Sequence, residues 1–236
     1  MKIQYCTDYE EMSQVAFESF YAGLKTSPRT SICAATGHSP TGFYKKMVAN
    51  YQEQSELYNT MQVVKLDEWF EVSADDPNSC EYYIQNKTVL PLNIADDRYL
   101  SFKSDAVAPE AECIRVQKEL DKHELLDVCI LGLGDNGHLG FNEPAATLSD
   151  VCHMSTLSKT SMQHSMTETM PNNPKFGLTL GMADILRSKK IILLVTGLGK
   201  EDVLAQLLTQ KITSQLPASF LWNHSNVECY IDSESL

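Results

Sequence analysis

Nowhere do about 18 or more apolar residues run together, so no transmembrane helix is expected. Positive charge is scarce: 19 Lys and Arg stand against 31 Asp and Glu, for a formal charge of −12. The few cations form no stripe, which argues against nucleic acid or an anionic membrane surface as partner. An anionic small molecule stays compatible, because a few local donors outweigh a diffuse field. Disulfide spacing is missing too. The seven cysteines (6, 33, 80, 113, 129, 152 and 229) are odd in number, contain no C-x-x-C, and several lie in apolar runs. They read as buried free thiols in a reducing compartment. The six histidines show no H-x-x-x-H or Cys/His spacing, so no metal site is expected. There is no G-x-S-x-G, which removes the serine nucleophile elbow. Met1 is followed by strand-like residues and not by a basic and then apolar leader, so a cytoplasmic location is expected. Repeats, low-complexity stretches and linkers are also lacking, and 236 residues suit one domain over 1–236.

What is present centres on one stretch. The apolar run Leu125 to Leu131 reads as a buried strand, and it feeds Gly132-Leu133-Gly134-Asp135-Asn136-Gly137-His138-Leu139-Gly140-Phe141-Asn142-Glu143-Pro144. Gly132, Gly134 and Gly137 spell G-x-G-x-x-G, the dinucleotide fingerprint. That fingerprint needs a helix directly afterwards to hold a pyrophosphate. Gly140, Asn142 and Pro144 would break such a helix, so the glycines read as loop residues that let backbone approach a ligand.

Along the chain, apolar runs and helical spacings alternate. Strands are predicted at Lys2–Tyr5, Thr30–Ala35, Met61–Leu66, Tyr99–Phe102, Lys190–Thr196 and Val227–Ile231, with an extended segment at Cys152–Leu157. Helices are predicted after the capping pair Asp8 and Glu11, around Phe43–Tyr51, at Cys80–Val89, at Pro109–His123, before Leu186 and after Lys200. Thr160–Thr169 reads as a polar helix or lid, and Pro171–Pro174 as a loop. Strands without polar alternation are covered on both faces. The fold class expected is α/β: a single-domain, three-layer, Rossmann-like, mostly parallel sheet with helices on both faces.

Several residues at the strand ends could carry chemistry. The loop Thr36-Gly37-His38-Ser39-Pro40-Thr41 precedes a helix, whose N-terminus suits a phosphate, although Ser and Thr there also serve as ordinary caps. Lys200 lies at a second such junction, either as a phosphate cation or as a solvated first-turn lysine. Asp67 ends the third strand as a turn cap or a base; Trp69 and Phe70 would shield it and raise its pKa. His138 reads as a proton carrier, with Glu143 accepting its second ring N–H. These types favour proton shuttling over covalent catalysis.

Leu66-Asp67-Glu68-Trp69, the stretch from Asn136 to Pro144, Thr36-Gly37-x-Ser39-Pro40 and Gly197-x-Gly199-Lys200 together resemble the hexosamine-6-phosphate deaminase/isomerase family. Val64–Trp69 and Pro217–Asn226 resemble its galactosamine-6-phosphate branch most. The resemblance implies that His138 opens the sugar ring, supported by Asn136 and Glu143, and that Asp67 moves the proton from C2 to C1 as ammonia leaves. Thr36, Gly37, His38, Ser39 and Lys200 would hold the phosphate, and no metal or organic cofactor is implied. Some relatives carry Asp where this chain has Asn136; an amide accepts a hydrogen bond but adds no charge. Larger relatives carry a phosphate-binding arginine beyond Pro144, where this chain offers Lys159, His164 and Met166, so a small non-allosteric enzyme is expected. Glucosamine-6-phosphate deaminase, 6-phosphogluconolactonase and a non-enzymatic sugar-phosphate sensor are the alternatives. The partner expected is a small hexosamine 6-phosphate, with monomer or small homo-oligomer left open.

Overall fold

The computed structural model describes residues 1–27, 30–122, 126–163 and 174–236. Its strands are β1 (Lys2–Cys6), β2 (Ser31–Ala34), β3 (Gln62–Lys65), β4 (Asp67–Trp69), β5 (Tyr99–Leu100), β6 (Val128–Gly132), β7 (His153–Thr156), β8 (Phe176–Thr179), β9 (Lys190–Val195) and β10 (Val227–Asp232). The helices are α1 (Tyr9–Leu24), α2 (His38–Glu53), α3 (Cys80–Ile84), α4 (Pro109–Leu120), α5 (Met182–Leu186) and α6 (Glu201–Leu208). Leu125, His123, residues 164–170 and 171–173 lie outside the described residues, and with them most of the expected lid and loop; Ser161–Gln163 forms a single 3₁₀ turn.

Seven strands form one sheet in the order β1-β10-β9-β6-β2-β3-β5, with every neighbouring pair parallel. Side chains alternate between faces, and here both faces are enclosed. Ile32, Ile130, Ile192 and Leu194 meet α1 and α2 through Phe17, Phe20, Phe43 and Met47. Cys33, Leu131, Leu193 and Ile231 meet α4, α5 and α6 through Val116, Ile185, Val203 and Leu207. Burial on both sides explains why these strands read as unbroken apolar runs. All seven cysteines are buried and unpaired. No helix among the described residues is long and apolar enough to cross a membrane.

Three details depart from the sequence reading. α2 begins at His38, so His38 to Gly42 are helix and not loop. Gly37, at φ +113°, makes the abrupt entry that a side chain would strain, and Pro40 fits a first turn whose N–H groups lack helical partners anyway. In the Asp8 cap, Asp8 accepts from the Glu11 N–H at 2.8 Å, but Glu11 returns its bond to the Thr7 N–H at 2.6 Å. A second, unforeseen sheet, β4-β8-β7, is antiparallel and sets Asp67 opposite Thr179.

The order of strands fixes where a ligand can sit. From β2 the chain runs outward to β3 and β5, then returns to β6 on the other side of β2 and continues to β9 and β10. The connections leaving β2 and β6 therefore diverge and open a crevice at their carboxyl ends.

Candidate active site

A cavity of about 340 Å³ fills that crevice. Thr36, Gly37, His38 and Ser39 line it after β2, Asp67 and Trp69 after β3, His138 and Phe141 after β6, and Lys200 after β9. Asn136 and Glu143 stand behind His138.

Asp67 is 6% exposed, and its Oδ1 has no hydrogen-bond partner. Burial, reinforced by the Glu68 carboxylate, pushes its carboxyl up to about 7, against the opposing pull of Lys65 and a bond with Cys80. The Trp69 and Phe141 rings pack at 4.5 Å between centroids and line the cavity beside it. Of the two rings expected to shield Asp67, Trp69 lines the cavity and Phe70 does not; Phe141 takes the second place.

His138 is placed by a tight loop in which the Gly137 N–H donates to the Gly134 carbonyl at 2.9 Å and the Gly134 N–H to the His138 carbonyl at 3.2 Å. A Cβ on Gly134 would stand 2.4 Å from the imidazole, so only glycine leaves room for the ring. The expected direct bond from His138 to Glu143 is not made: Nδ1 lies 3.7 Å from Oε2. Asn136 bridges them instead. Its Oδ1 lies 2.8 Å from Nδ1, and its Nδ2 donates to Glu143 Oε2 at 2.8 Å. A carboxylate only accepts, so the amide N–H must face Glu143 and the amide oxygen must face the ring; Nδ1 then carries the proton. The amide thus fixes the tautomer without adding charge.

Glu143 is 9% exposed. Burial works to raise its pKa, but the His138 ring and hydrogen bonds from Ser161, Asn136 and the Ser158 N–H outweigh it and hold the carboxyl below the usual range. Ser158 and Ser161 went unnoticed in the sequence, being serines in a polar stretch with no spacing to mark them.

At the opposite end of the cavity, the Gly37 carbonyl accepts from Tyr83 at 2.7 Å and from Thr41 Oγ1 at 2.9 Å, and Thr36 Oγ1 meets Cys80 Sγ at 3.4 Å. With that carbonyl occupied, the donors of the loop and of the α2 N-terminus are the groups left for an anion. Lys200 donates to the Leu133 carbonyl at 2.6 Å and pairs with Asp135, so it is neither solvated nor idle. Among the described residues no group of three or more His, Cys, Asp or Glu could hold a metal ion.

Residues 9–230 match the family described as glucosamine-6-phosphate isomerases/6-phosphogluconolactonase. The chain belongs to that family. This member of the glucosamine-6-phosphate isomerase/6-phosphogluconolactonase family is 39% identical over 231 residues to a protein of Escherichia coli (strain K12) provisionally named deaminase AgaI, covering 98% of this chain and 92% of that one. It is 34% identical over 237 residues to glucosamine-6-phosphate deaminase 1 of Bacillus subtilis (strain 168), covering 100% and 98%. A solved monomeric glucosamine-6-phosphate deaminase superposes with a TM-score of 0.94 at 34% identity, over 100% of this chain and 98% of that one.

Proposed function

We propose that the protein converts a hexosamine 6-phosphate and water into a ketohexose 6-phosphate and ammonia, with galactosamine 6-phosphate giving tagatose 6-phosphate as the preferred pair. The observation that carries this reading is the buried Asp67 with an unpartnered oxygen, in one cavity with His138 and an anion cradle. Thr36, Gly37, His38, Ser39 and Lys200 hold the phosphate, and that remote binding positions C1 and C2. His138, oriented by Asn136 and Glu143, transfers the proton from the anomeric hydroxyl to the ring oxygen. Asp67 removes the C2 proton and returns it at C1. Water then adds at C2, and the nitrogen leaves as ammonia. A carboxyl at about 7 is matched to taking and returning a proton near neutrality. No step calls for a metal or an organic cofactor.

The galacto preference rests on Val64–Trp69 and Pro217–Asn226, the stretches that resemble the galactosamine-6-phosphate branch. The TM-score of 0.94 to a glucosamine-6-phosphate deaminase favours the gluco sugar as the second reading. Ammonia release from galactosamine 6-phosphate and glucosamine 6-phosphate, measured side by side, tests both. Higher kcat/KM on the galacto sugar supports the preferred pair; the reverse keeps the chemistry and changes the sugar. Silence on both overturns the proposal.

A further inference from the structure

Lys65 and Glu68 are both fully enclosed, which is rare for charged side chains. They meet at 2.6 Å, and Glu81 of α3 joins Lys65 at 2.5 Å. Lys65 also donates to the Phe102 carbonyl at 3.2 Å. Glu68 gives its remaining lone pairs to backbone. Oε1 accepts from the Trp69 and Cys80 N–H groups at 2.8 and 3.0 Å, and Oε2 from the Glu81 N–H at 2.7 Å. None of the three side chains lines the catalytic cavity.

Buried ion pairs add little stability over apolar packing of the same volume, so the placement of this one is informative. Glu68 adjoins Asp67 in β4 and also binds the first N–H groups of α3. That helix in turn holds the phosphate-facing loop, through Cys80 to Thr36 and through Tyr83 to the Gly37 carbonyl. One charged group therefore ties the segment that carries Asp67 to the Thr36–Gly37 loop. The titratable groups facing Asp67 are Glu68 and Lys65 on its own segment, Cys80 on α3, Cys33 on β2 and Tyr44 on α2. His138 lines the same cavity. The thiols and the phenol are displaced toward their neutral forms. Full charge next to Asp67 in the chain thus comes from Glu68 and Lys65.

We propose that Glu68, balanced by Lys65, is a positioning residue for Asp67: it locks the base to the phosphate-facing loop through α3 and sets the charge against which Asp67 binds its proton. This rests on Asp67 being the base of the proposed reaction. The test is the pH profile of kcat/KM, whose acid limb reports that base. Glu68→Gln removes a neighbouring negative charge, so the limb moves to lower pH by about one unit. Lys65→Met removes the positive charge beside Asp67, so the limb moves to higher pH by about one unit. Glu68→Asp keeps the charge and shifts the geometry, so kcat falls with the limb in place. Loosened packing alone lowers kcat without moving the limb in opposite directions. Should either buried variant fail to fold, as its melting curve reveals, Glu81→Gln carries the sign of Glu68→Gln at smaller size from a side chain that is 17% exposed. Limbs that stay put, or that move the same way in all variants, overturn the inference. Asp67→Asn is assayed alongside: near-full turnover there overturns the base reading itself, whereas loss of turnover with unmoved limbs overturns only the role of Glu68 and Lys65.

Discussion

Asp67 lines one wall of the cleft and Glu143 stands behind the wall that His138 forms, 6% and 9% exposed, and their carboxyls are displaced in opposite directions. Burial penalises the charged form of both. Asp67 has a negative neighbour in Glu68 and an oxygen with no partner, so burial prevails. Glu143 has an imidazole nearby and accepts from Asn136 and the Ser158 N–H, so burial loses. The difference lies in partners as well as in depth: a deeply buried carboxyl with one unmet oxygen keeps its proton to higher pH, and one supplied with donors stays a fixed charge.

The comparison breaks most sharply at Asp67. Asp67→Asn is expected to lower kcat by about 1000-fold or more while leaving sugar-phosphate binding, measured by calorimetry, close to wild type. Glu143→Gln keeps the shape of its wall and removes the charge behind the imidazole; kcat is expected to fall about 100-fold, and Asn136→Ala to fall less, since Glu143 remains. Lys200→Met acts on neither wall. It should raise KM by about ten- to a hundredfold with a smaller change in kcat, as expected for one charged hydrogen bond to a phosphate.

The smallest effect, and the one that separates the two carboxyls most cleanly, is on stability. From the ordinary value of 3.8 up to about 7, folded Asp67 keeps its proton while the unfolded chain has lost it, so stability from this group declines as pH rises through that window. Three units amount to on the order of 4 kcal/mol at most. Asp67→Asn should therefore melt above wild type at about pH 8, with the gap narrowing at about pH 5. Glu143 has the opposite sign. Its contribution is present above the ordinary carboxylate range and lost as pH falls through its depressed folded value, so Glu143→Gln melts below wild type at neutral pH and approaches it in acid.

How far all this was legible from residues alone follows the same division. The parallel sheet was readable because β2, β3, β6, β9 and β10 are apolar on both faces, and the shielding of Asp67 was readable from Trp69. The β4-β8-β7 sheet was not: its strands have three or four residues, and Asp67 pairs with Thr179, far along the chain. That Asn136 can accept a hydrogen bond from the imidazole was readable from its amide; that it bridges the ring to Glu143 was not, because only the folded position of the Glu143 carboxylate decides which way the amide faces. Glu68 offered a signal that went unused. A lysine inside the apolar strand Gln62–Lys65, followed by two adjacent acids, cannot be enclosed unless its charges find one another.

The seven enclosed thiols have a use of their own. A water-borne thiol reagent meets none of them until part of the molecule opens, so each labelling event times an opening. Cys33 and Cys129 are register partners on β2 and β6, in the middle of the sheet, and react only when the sheet parts there. Cys6 and Cys229 mark one margin of the sheet, where β1 joins β10. The order in which the seven are modified would therefore trace the order in which the sheet comes apart.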